Sequence, residues 1–106
     1  MDVTRDLVSY ELPSVCSQLD VEMFRAWDKT LHYNWDQAIV DRSNGLTLFS
    51  ENLSGFATAL HFSNALCGYQ GEGPNATITI LLEAGFGPRE RLEAVIYSEM
   101  QAEFTK

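Results

Sequence analysis

The sequence predicts a small α+β domain, in which a β-hairpin over about 37–50 packs against several helices, including a C-terminal helical hairpin over about 74–104. Three observations carry this expectation. Asn44-Gly45 sits between two apolar runs, Ile78, Leu81 and Leu82 recur at helical spacing, and Gly85 to Pro88 separate that stripe from a second one. At 106 residues the chain has the length of one domain, spanning 1–106, with a modest single core. Its 45% hydrophobic content is that of a folded globule, and no internal repeat or linker interrupts it.

The first element is ambiguous. Leu7, Val8 and Leu12 fit one face of a short helix capped by Thr4, or a strand ended by Pro13. In SVCSQLDVEMFRAWDKTL, Val15, Leu19, Met23 and Trp27 follow in steps of four, which predicts a helix. A strand over Val21 to Tyr33 is its rival. In QAIVDRSNGLTLFS, Asn-Gly tolerates the positive φ angles of a tight hairpin turn, so strands are expected at Gln37–Arg42 and Leu46–Ser50.

Residues 54–67 admit two readings. FATALHF alternates like a strand, whereas Ala57, Ala59 and Ala65, a cap at Ser54 and a stop at Gly68 favour a helix. The expectation is a helix. Pro74 to Ala84 forms the next helix, with Gly73 as N-cap and Gly85 ending it in the left-handed conformation, Phe86 folding back on Leu81. Pro88 opens the last helix, whose buried face is Leu92, Val95, Ile96, Met100 and Phe104.

Fifteen acids face seven bases, for a net charge of −8, and no Lys or Arg occurs between Arg42 and Arg89. Such a field repels nucleic acid and anionic membranes and favours a basic partner. No apolar run reaches the roughly 20 residues of a membrane span, and the N-terminal residues do not resemble a secretory signal. The expected location is the cytoplasm. Cys16 and Cys67 read as reduced, packed thiols rather than a disulfide framework.

The candidate chemistries are thin. The Cys and His residues are too scattered for a local zinc motif, so no metal or other cofactor is expected. GYQGEGPNAT lacks the lysine of a Walker loop and the third glycine of a dinucleotide fingerprint, and Glu72 places negative charge where phosphate would sit. It reads instead as a reversal and a helix entrance that display Tyr69, Gln70 and Glu72. The helix pair around Gly85 is no DNA reader, because it presents only Arg89 and Arg91 among several acids. HYNWDQ concentrates His32, Tyr33, Trp35 and Asp36. Its aromatics either anchor a loop in the core or, if exposed, hold a protein partner.

Two functional expectations follow. The first is a small acidic interaction domain, of the inhibitor or immunity type, that binds a basic protein. Tyr33, Trp35, Asp36, Tyr69, Gln70 and Glu72 are its partner-binding residues, and Asp28 and Asp41 extend the acidic rim. The second is a small enzyme or ligand-binding domain with a pocket between 32–37 and 68–74, furnished by His32, Asp36, His61 and Cys67. A homo-oligomer, with exposed apolar residues meeting their own copies, is a third arrangement.

Overall fold

The computed structural model describes residues 7–11, 16–31, 34–51 and 57–106. The expected caps Thr4 and Ser54, together with Leu12, Pro13, Val15, His32, Tyr33 and Phe56, lie outside these residues. The elements in order are β1 (Leu7–Glu11), α1 (Ser17–Leu31), β2 (Trp35–Asp41), β3 (Gly45–Glu51), β4 (Ala57–Phe62), α2 (Glu72–Glu83), α3 (Arg89–Ile96) and β5 (Gln101–Thr105). The α+β class, the hairpin and the consecutive helices α2 and α3 are as expected.

The five strands form one sheet in the order β1-β4-β3-β2-β5. β1 runs parallel to β4, and the remaining pairs are antiparallel. β1 and β2 point the same way, and α1 makes the crossover such a connection needs. Alternation then assigns the faces. Ala38 and Val40 of β2, Leu46 and Leu48 of β3, Leu60 and Phe62 of β4, and Phe104 of β5 are buried in one cluster with Phe24, Ile78, Leu81, Leu92 and Ile96 of the helices. Phe24 meets Trp35 and Phe62, with ring centroids 6.5 and 6.2 Å apart, and Phe86 meets Phe104 at 6.4 Å. The helices therefore cover one face, and Gln37, Ile39, Thr47, Phe49 and His61 lie on the other.

The hairpin is closed by side-chain chemistry as well as by glycine. The Asp41 carboxylate accepts the backbone N–H of Ser43 at 2.7 Å and of Asn44 at 3.2 Å. Gly45 then takes φ +96, and a Cβ there would collide with the Phe62 carbonyl. Further along, the end of α2 is a Schellman motif. Phe86 N–H donates to the Leu81 carbonyl at 2.9 Å and Gly85 N–H to Leu82 at 3.1 Å, with Gly85 at φ +94.

Four expectations need correction. Residues 57–62 are a strand, not a helix, because Ala59 pairs with the bulky Phe49 across the sheet and a small side chain fits there. α1 buries Asp20, Val21 and Phe24, so its inward stripe runs beside the Leu19–Met23 series instead of along it. α2 starts at Glu72 with Gly71 as N-cap, which places Pro74 third in the first turn, where its missing N–H has no acceptor to lose. Finally α3 stops at Ile96, where the Ser98 hydroxyl donates to the Ala94 carbonyl at 2.5 Å, and residues 101–105 form β5. Phe104 is buried as expected, but from a strand, and Met100 is 63% exposed.

Candidate partner-binding surface

The reversal into α2 is built around one aromatic ring. Gly68 turns the chain at φ +90, and its N–H donates to the Ile96 carbonyl at 2.7 Å, which ties the reversal to the end of α3. Tyr69 then lies back over the glycines. A Cβ on Gly71 would stand 3.0 Å from its ring and one on Gly73 2.8 Å from its hydroxyl. The Arg42 guanidinium stacks 5.6 Å from the Tyr69 ring centroid, a cation–π contact. Gln70 and Glu72 are exposed beside it. On the flank, the Tyr97 hydroxyl donates to Asn75 Oδ1 at 2.5 Å.

Arg42 joins this ring to a second surface feature. Its backbone N–H donates to the Met100 carbonyl at 2.9 Å. Among the described residues Met100 is the exposed large hydrophobic side chain. Tyr69, Arg42 and Met100 thus share one end of the sheet, with Glu72 and Glu99 exposed nearby. Met100 and Arg42 were missed in the sequence. Met100 continues the four-residue rhythm of Leu92 and Ile96, and only the end of α3 releases it to the surface.

The remaining predicted residues lie elsewhere. Trp35 is 1% exposed, so it is a core side chain and leaves the surface set. Its indole N–H donates to Asp28 Oδ1 at 3.0 Å, which gives that acid a structural role. Asp36 is half-buried beside Trp35, at the start of β2, whereas Arg42 follows its end; a seven-residue strand separates them by about 20 Å. Among the described residues, 34–37 and 68–74 therefore do not face each other across a pocket. Tyr33 and His32 are outside the described residues.

Nor do the other pocket residues converge. His61 sits on the face away from the helices, its Nδ1 hydrogen-bonded to the Thr47 hydroxyl at 2.8 Å. Cys67 is wholly buried in the core; burial pushes its thiol pKa up, and the nearby Asp41 carboxylate adds to that. A raised pKa is the opposite of what a nucleophilic thiolate needs. Among the described residues no three His, Cys, Asp or Glu side chains come together to hold a metal. A concavity of about 400 Å³ lies between α1 and α2, lined by Ser17, Val21, Arg25, Glu72, Ala76 and Thr79 among others. Its cation is already engaged, because Arg25 forks onto Glu83, with nitrogen–oxygen distances of 2.6 to 3.0 Å.

Among the described residues no helix is long and apolar enough to cross a membrane. Compared with protein-family models, curated proteins and solved structures, the chain matches none, so its surface chemistry has to carry the functional reading.

Proposed function

We propose that this chain is a small acidic protein-interaction domain. It docks on a basic partner protein through Tyr69, Gln70, Glu72, Arg42 and Met100, and inhibits or masks that partner by covering it. One observation carries the reading: an exposed methionine, 63% accessible, sits at the same end of the sheet as a stacked Tyr–Arg pair, within an acidic margin. Tyr, Met and Arg are the residue types enriched at the centres of interfaces, while charge at the rim speeds encounter. The net charge of −8 supplies attraction toward a cationic surface. Asp36, at the far end of β2, contributes only to that long-range field.

The test is affinity capture from the native host with the wild type and with a Tyr69→Ala/Met100→Lys variant. The wild type is expected to retain a basic protein. The variant should lose at least about ten-fold in affinity while keeping its fold, since neither side chain belongs to the core. Recovery of the wild type as a monomer carrying only a bound metabolite would sink the reading.

A further inference from the structure

β5 is an edge strand, and its register decides which of its backbone groups face outward. Arg42 N–H donates to the Met100 carbonyl at 2.9 Å, and Lys106 N–H donates to the Asp36 carbonyl at 3.1 Å. Bonded positions alternate along an antiparallel pair. Ala102 and Phe104, opposite Val40 and Ala38, therefore direct their N–H and C=O groups to β2. Gln101, Glu103 and Thr105 direct theirs outward. Among the described residues no backbone group meets them, and all three side chains are exposed. Such a row of donors and acceptors is a template for another strand.

The side chains along the edge select the occupant. Protected edges often carry proline, a bulge or lysine; residues 101–105 have none of these, and Glu103 is their one charge. The neighbouring Lys106 is turned away, its ammonium on the Ala84 carbonyl and 4.7 Å from the Phe86 ring centroid. Full-length antiparallel pairing of two β5 strands would set Glu103 directly opposite its own copy, which is unfavourable. A lysine or arginine at that position is favourable. On the helix side of the strand the Arg91 guanidinium lies 6.0 Å from the Phe104 ring centroid, so a second cation is unwelcome there.

We infer that β5 accepts an extended basic segment of the partner as a sixth, antiparallel strand. Its Lys or Arg residues face Glu103, and its apolar residues face the helix side. The inference rests on the proposed partner-binding reading, because the edge opens at Met100 and the added strand would end on the Tyr69 surface. Backbone bonds supply affinity in this mode, and alternate side chains supply specificity.

The experiment titrates the isotope-labelled full chain with a soluble heptapeptide that alternates lysine with valine and threonine. A glutamate-for-lysine counterpart is the control. Amide exchange at Gln101, Glu103 and Thr105 should slow by about ten-fold or more, while Ala102 and Phe104, already paired, stay unchanged. Glu103→Pro removes an outward N–H without a bond to β2 and should weaken binding by about ten-fold or more. Thr105→Pro repeats the test if that variant is unfolded. Glu103→Lys should shift preference toward the glutamate peptide.

Binding that survives Glu103→Pro but is lost in Tyr69→Ala, with exchange at the three amides unchanged, overturns the edge and leaves the partner surface standing. No binding of the lysine peptide at millimolar concentration also overturns the edge, while capture from the host still decides the partner reading. A dimer of the free chain that Glu103→Pro dissolves overturns it in favour of a second copy.

Discussion

Cys67 is wholly buried, and Asp41 and Arg42 are the charges near its sulfur. Burial disfavours the thiolate, so the folded protein holds this proton more tightly than the unfolded chain does. The sign of the linkage follows. The contribution to stability is complete below the ordinary thiol pKa of about 8.5 and is lost as pH rises through the raised folded value. Urea midpoints of the wild type should therefore fall between pH 8 and pH 10 relative to those of Cys67→Ala, and the two should run parallel below pH 8. Alkylation gives a second measurement: the native chain should be modified at the exposed Cys16, and at Cys67 only once unfolded. Trp35 follows the same logic. The HYNWDQ aromatics admitted a core anchor or an exposed contact, and Trp35 is a core anchor, a buried donor whose acceptor is Asp28.

At the level of elements, the signals legible in the sequence were those that punctuation fixes locally. Asn44-Gly45 and Gly85-Phe86 are turn and cap chemistry, and the structure places both as read. Gly45→Ala should cost about 2–3 kcal/mol in urea unfolding, because the positive φ and the Phe62 carbonyl both oppose a Cβ. What was not legible depended on partners distant in sequence. Ala57 and Ala59 suggest a helix until β3 is seen to pair with them. Gln101 to Thr105 continue a helical rhythm with no Gly or Pro to interrupt it, and β2 supplies the reason for a strand there. The candidate surface shows the same division. Gln70 and Glu72 are exposed on the glycine-rich turn and Tyr69 is half-buried there, whereas Met100 and Arg42 join them only through sheet topology.

On the scale of the whole molecule, charge and shape are arranged separately. The helices cover one face of the sheet, while the acids that outnumber the bases by fifteen to seven set the long-range field. That field acts on encounter rather than on the fitted contact. If the chain docks on the proposed basic partner, raising ionic strength from about 0.05 to 0.5 M should slow association by about ten-fold or more and change dissociation much less, as stopped-flow or surface-binding kinetics would register. An equal effect on both rates would place the charges inside the contact instead of around it.

The close fit of Tyr69 over Gly73 also binds two positions in inheritance. The phenol hydroxyl occupies the space that a methyl group at 73 would need, and the Asn64 carbonyl and Leu66 Cβ, 3.2 and 3.3 Å from that point, leave little room for it to move aside. Glycine at 73 is therefore a missing side chain that leaves room for the phenol hydroxyl. Among descendants of this sequence, alanine at 73 should appear with a residue at 69 that lacks the hydroxyl, and phenylalanine there would keep the ring under Arg42.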